Sequence, residues 1–391
     1  MRLGNTQTKA SFRLLLLSPF TIFDCVENRM RLGNTQTKAS FRLLLLSPFT
    51  IFVYTIMKNT IVLSCLAMAT VLAFAAVILW GSVSIPPREV VDILLGNGEE
   101  NRIRSFIVWE NRLPMAVAAT LCGASLASAG LMLQSVLRNP LAGPNILGID
   151  AGANLGVALL MLAVGGGVSS RVGQGQGLVV VAALVGALAV LAILLSLNRV
   201  LRSSVMLLVA GVMLGYLASS AISLLTWRAS KEGVQAYILW GMGSFQAVGL
   251  SRLPAFIGLS SVGLLLSLLM VKPLNALLLG EQYAQNLGIN VGRVRTQLLL
   301  TTGLLTATTT AFCGPISFIG LAVPHIARLI LGTANHRTLL PATMLTGALV
   351  ALVCCVLSTL PGESGVLPIN VLTPLIGAPI VIYVLLKLKH I

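Results

Sequence analysis

Runs of about twenty apolar residues recur along this chain, and they constrain it more tightly than any single motif. Only 9% of the residues are charged, 56% are hydrophobic, and mean hydropathy is +0.94. A soluble domain carries roughly 25% charged residues, so the natural solvent for this chain is the bilayer. In hydrocarbon the backbone must pair its own polar groups, which leaves helix bundles or closed barrels. The runs are as long as one crossing and do not alternate apolar with polar, which selects helices. The expected fold is an all-α membrane protein of about ten transmembrane helices. The spans fall near 58–81, 113–136, 144–165, 177–197, 204–227, 253–271, 296–313, 316–332, 340–360 and 369–386. Only Gly314-Pro315 separates two of them, so one of that pair is expected to be short or discontinuous.

The N-terminus obeys a different logic. Residues Met1–Phe23 recur without change at Met30–Phe52. Structural repeats diverge because each copy packs against different neighbours, so an identical copy reads as a nucleotide duplication or a misplaced start. Residues 1–56 are set aside as a non-native extension, and 57–391 is read as the ten-helix transmembrane domain, beginning at Met57-Lys58-Asn59. Val62-Leu63-Ser64-Cys65 faintly resembles a lipoprotein cleavage site, but the apolar stretch before it is short. The other cysteines in the membrane domain sit within or beside apolar runs, without metal-ligand spacing.

The formal net charge of +15 fits cytoplasmic loops and anionic headgroups rather than nucleic acid. With the N-terminus inside, eleven basic residues of the membrane domain lie on the cytoplasmic side against eight outside. That bias favours both termini in the cytoplasm. Small residues are dense within the spans: Gly123, Ala124, Ser125, Ala127 and Gly130, then Gly152/Gly156 and Gly211/Gly215. Such spacing lets helix backbones approach closely.

Chemistry has little to stand on. No GxxxxGK[ST] phosphate loop and no HExxH occurs, and His325, His336 and His390 are scattered. An ion-coupled carrier needs ionisable groups at mid-membrane, and among the acids only Asp150 lies within an expected span. Its position near Gly148 and Gly152 suits a cap-region residue, with a relay role as the alternative. Energy is therefore expected from a partner protein, and no cofactor or metal is called for. Two segments look too structured to be mere connectors. Leu279–Arg293 can form a short amphipathic helix with Tyr283, Ala284 and Leu287 on one side, ended by Gly288, or can be a solvated loop. Arg138–Pro144 is a proline-bounded break between helices.

At these residues the chain resembles the FecCD family, the permease subunits of bacterial ABC importers for iron-siderophore complexes, haem and cobalamin. The likeness rests on Asn111-Arg112-Leu113-Pro114, Gly123–Ala127 with Gly130 and Gln134, and Arg138–Ala142 leading to Leu147-Gly148. It continues through Trp240–Phe245, Gly314–Leu321 with Pro324-His325 and Arg328, and Leu372-Thr373 with Ile376–Pro379. These blocks stand in the family's order across essentially all of residues 57–391.

The resemblance implies a type II ABC importer permease bundle without catalysis of its own, set in the bacterial inner membrane. It implies a second permease subunit, as a homodimer, two cytoplasmic ABC ATPase subunits, and a periplasmic or lipid-anchored substrate-binding protein. It places ATPase coupling at Gly280, Glu281, Ala284, Leu287, Gly288 and Arg293, and a cytoplasmic gate near Ser203 and Ser204. Where the family often has a second arginine after Arg-Leu-Pro, Met115 stands, so binding-protein docking is expected to rest on Arg112 with Arg102, Arg104 and Arg252. The family's Glu-Leu-Pro-Val-Gly appears as Glu363–Asn370, with a spacer and with Asn370 in place of glycine. His325 reads as a packing or hydrogen-bonding residue rather than a haem ligand. The functional alternative is an ion-coupled secondary transporter.

Overall fold

The structure, a computed structural model, describes residues 48–96, 101–163, 172–201, 203–360 and 365–388. Among these residues every regular element is helical. Helix α1 (Pro48–Leu79) begins inside the repeated segment, upstream of Met57, and Cys65 lies in its middle. The chain divides at Ile61; before it only the start of α1 is described, and Val62–Ile391 forms the bundle treated below.

After α1 come α2 (Pro87–Leu94), α3 (Arg102–Phe106), a π-helical turn (Ile107–Arg112) and α4 (Leu113–Leu137). Then follow α5 (Ile149–Ala158), which runs on as a π-helical stretch to Ala163, α6 (Val172–Val200), α7 (Ser204–Arg228) and α8 (Lys231–Gly241). The remainder is α9 (Leu253–Leu269), α10 (Val271–Leu278), α11 (Glu281–Asn286), α12 (Val291–Cys313), α13 (Ile319–Leu331), α14 (His336–Ser358) and α15 (Ile369–Leu388).

Each expected span coincides with a helix, but they are not equals. Five stretches are long and apolar enough to cross a bilayer, and α9 with α10, bent by 45°, makes a sixth. Ile149–Ala163, Ile319–Leu331 and Ile369–Tyr383 are shorter apolar helices. The last, α12, has the length but carries seven threonines over its 23 residues. Four of them are paired within the helix: the hydroxyls of Thr296, Thr301, Thr302 and Thr309 donate to carbonyls four residues back, whereas Thr310 donates to Asp150 and the buried Thr306 and Thr308 hydroxyls have no partner among the described residues. Most of α12 is buried, so it meets protein rather than lipid.

Helix α4 is the centre of the bundle, packed against α9, α12, α13 and α14. Its small residues are what allow this. A methyl group on Gly123 would lie 2.2 Å from the Gly347 carbonyl oxygen of α14, and one on Gly130 would lie 1.7 Å from the Gly320 oxygen of α13. The backbones touch, which is the close approach anticipated from the small-residue spacing. Gly152 meets Gly186 of α6 in the same way. The Gly314-Pro315 break is real: α12 stops at Cys313, the chain stays non-helical through Phe318, and α13 is only 13 residues long.

Candidate functional site

Helix α12 starts beside α11 and, at 1.5 Å per residue, ends about 35 Å away at Cys313. The bundle thus has an α11 end and a far end, and the anticipated site residues divide between them.

At the α11 end, Gly280 (φ +122°) turns the chain out of α10 and Gly288 (φ +81°) turns it out of α11. The Gly288 N–H donates to Gln285 O at 2.9 Å and the Ile289 N–H to Ala284 O at 3.0 Å. That pair is a Schellman termination, which needs a left-handed residue where Gly288 stands. Asn290 then caps α12 by accepting from the Arg293 N–H at 3.0 Å. A helix of six residues is too short to hold itself together in water. What holds α11 is Ala284, fully buried among Met270, Leu274, Leu277, Val291 and Val294.

The anticipated face is therefore corrected. Ala284 points inward, while Tyr283 and Leu287, 52% and 58% exposed, point outward. Arg293 is exposed as well. Glu281 does not stand alone: Arg295, 7% exposed, donates from Nη2 to Glu281 Oε1 at 3.4 Å. Between α11, the end of α6 and the start of α12 lies a cavity of about 460 Å³ lined by Asn198, Arg199, Glu281, Gln285 and Arg295. Arg295 was not singled out from the sequence, because only folding brings it over Glu281.

The same end is laced by polar side chains. Arg138, left-handed at φ 46°, donates from Nη2 to Leu277 O at 3.2 Å, tying the end of α4 to α10. Asn275 of α10 accepts at Oδ1 from the His336 N–H and from His336 Nδ1, at 2.8 and 2.9 Å. His336 Nε2 lies 2.8 Å from Ser135 Oγ of α4. His325 Nε2 donates to Pro140 O at 2.7 Å, so its ring serves as a hydrogen-bonding residue, as anticipated. Arg328 Nη1 donates to Gln134 Oε1 at 2.7 Å. Ser203 precedes α7, and its carbonyl rather than its hydroxyl serves the helix, accepting from the Leu207 N–H at 3.2 Å. Ser204 opens α7, and its side chain lies outside the described residues.

At the far end, Arg112 departs from its anticipated role. It is 3% exposed, and its guanidinium donates to the carbonyls of Ile78, Leu79 and Val83. Ile78 and Leu79 are the last residues of α1, whose carbonyls have no partner within the helix. Arg112 satisfies them and offers no charge to a docking protein. Arg104 pairs with Glu89 of α2, Arg102 is exposed, and Arg252 precedes α9 half-buried. Glu99, Glu100 and Glu363 lie outside the described residues.

Inside the bundle, Asp150 sits in the first turn of α5 and accepts from Thr310 Oγ1 of α12 at 2.9 Å. A carboxyl in the first turn of a helix interacts favourably with its dipole, and the hydrogen bond of this one runs across to α12.

Residues 68–387 match the FecCD transport family. The vitamin B12 import system permease protein BtuC of Salmonella typhi is 37% identical over 288 residues, covering 72% of this chain and 84% of that protein. The BtuC of Klebsiella pneumoniae is 38% identical over 282 residues, covering 72% and 83%. A solved inward-facing structure described as a metal-chelate type ABC transporter aligns with a TM-score of 0.72 at 28% identity, covering 83% of this chain and 98% of that one.

The chain belongs to the FecCD transport family. It is a non-catalytic, multi-pass inner-membrane permease subunit of an ABC importer, a class that works with an ATPase and a substrate-binding protein.

Proposed function

We propose that this permease carries cobalamin or an iron chelate, a siderophore complex or haem, across the inner membrane as a homodimer on two ATPase subunits. Tight-binding catalytic groups are not needed for this; the permease contributes shape and switching between outward- and inward-open arrangements. The observation that carries the reading is α11. It presents Tyr283 and Leu287 outward from a backbone pinned by Ala284, Gly280 and Gly288, with Glu281 held by Arg295. This is a rigid apolar knob at the end of a lever, suited to an ATPase groove, and closure of the ATPases would push it.

On this reading the α11 end is cytoplasmic, both termini lie there, and Ser203 and Ser204 stand near the inner gate. The far end receives the binding protein through Arg102, Arg104 and Arg252. The substrate assignment draws on the relatives, which are named for vitamin B12 import and for metal chelates.

Reconstitution in liposomes tests it. The permease with its ATPase, ATP and loaded binding protein should accumulate radiolabelled cobalamin or ferric siderophore. Uptake by the permease alone, driven by a proton or sodium gradient, would sink the reading in favour of a secondary carrier.

A further inference from the structure

Between Cys313 and Ile319 the chain crosses from α12 to α13 without helical hydrogen bonds, beside buried helices. Backbone groups in such a place must find partners from elsewhere in the protein. One side chain supplies partners for two of them, the Ser317 N–H and the Pro315 carbonyl. Asn370, in the first turn of α15, accepts at Oδ1 from the Ser317 N–H at 3.0 Å. Its Nδ2 donates to Pro315 O at 2.6 Å and to Gly241 O at 3.2 Å. Its own N–H donates to Met242 O at 3.3 Å. A carboxamide has two N–H donors and one carbonyl, and here every one of them is engaged. Three segments distant in sequence meet at this group: the turn after α8, the α12–α13 break, and the start of α15.

We propose that Asn370 is a positioning residue that locks the start of α15 to the α8 turn and the α12–α13 break, so that the three move as one body when the far end opens and closes. The proposal rests on the permease reading for its role in transport. The side chain is singular in what it joins. The Ser244 N–H donates to Cys313 O at 2.8 Å, so the α8 turn stays fastened to α12 whatever stands at position 370. Loss of the Asn370 side chain removes the links from α15 to the α12–α13 break and to Gly241, and leaves the backbone bond from residue 370 to Met242 O. No shorter or singly functional side chain could do the same: Asp keeps the acceptor but turns a second acceptor toward two carbonyls, and Ala keeps neither.

Hydrogen exchange and spin-label distances on the permease in nanodiscs test it directly. In Asn370→Ala the Ser317 amide should exchange at least tenfold faster while the Ser244 amide is unchanged. Asn370→Asp should restore protection at Ser317 without restoring the link to Gly241. Labels at the exposed positions Ile238 and Val371 should give one narrow distance in the unsubstituted protein and a broad distribution in Asn370→Ala. In the full assembly, substrate moved per ATP should fall several-fold in Asn370→Ala. Unchanged Ser317 exchange, an unchanged distance distribution, or an unchanged ratio of transport to ATP hydrolysis would each overturn the proposal. Failure of the unsubstituted assembly to take up substrate would count against the permease reading alone, since exchange and distances need no substrate.

Discussion

Arg112 shows how much a single side chain can be misjudged from its neighbours in sequence. An arginine beside Leu-Pro at a helix start looks available for docking, yet its charge is turned onto the unpaired carbonyls ending α1. Charge-assisted hydrogen bonds of this sort are worth about 1.5–3 kcal/mol each, and carbonyls left unpaired carry a desolvation penalty. Arg112→Leu should therefore lower stability by about 2–4 kcal/mol, read as a depressed unfolding temperature in detergent. Affinity for the binding protein should be unchanged in whatever fraction remains folded. Arg102→Glu, on an exposed side chain, should do the reverse and weaken docking without moving the unfolding temperature. Gly288 is a residue of the opposite kind: a Cβ there meets nothing within 4 Å, and only its left-handed backbone forbids other residues. Gly288→Val should strain the Schellman turn by about 1–2 kcal/mol. ATP hydrolysis should then run on while uptake drops, a ratio measured in proteoliposomes.

Helices, by contrast, were readable almost throughout. Long apolar runs place α1, α4, α6, α7 and α14 because each has enough hydropathy to declare itself, and Gly314-Pro315 marks the α12–α13 break by removing a donor and breaking the ladder. The small-residue spacing on α4 also had a physical meaning that survives in the packing, since Gly123 and Gly130 sit where backbones touch. Gly130→Val should abolish folded protein, seen as loss of the monodisperse peak on size exclusion. Gly177→Val, at a position with nothing within 4 Å, should leave it intact. What escaped the sequence is what only contact creates. The phase of α11 was misjudged because six residues carry too little periodicity to reveal that Ala284, not Tyr283 or Leu287, is the anchor. Arg295 and Asn275 act on groups 14 and 61 positions away, and nothing local marks them; Asn370 stands out in the sequence, but its partner Gly241, 129 positions away, is set only by the fold.

At the scale of the whole molecule, transport requires two ends about 35 Å apart to respond to each other. The bundle is built for that: α4 spans the distance, bound to α10 through Arg138 and to α14 through Ser135 and His336. Which end faces the cytoplasm is open to a direct check. A cysteine at Tyr283, half-exposed on α11, should react with a membrane-impermeant maleimide in inside-out vesicles and stay protected in intact spheroplasts. The threonine-rich α12 has a consequence of another kind, for how the chain is made. During synthesis it leaves the ribosome with two arginines at its leading turn and too little hydropathy to qualify as a span, followed by an α13 of only 13 residues. A translocon that scores segments singly would reject both. They must enter the lipid together, sheltered by helices already inserted, so a nascent chain released at Cys313 would leave its last segment in water.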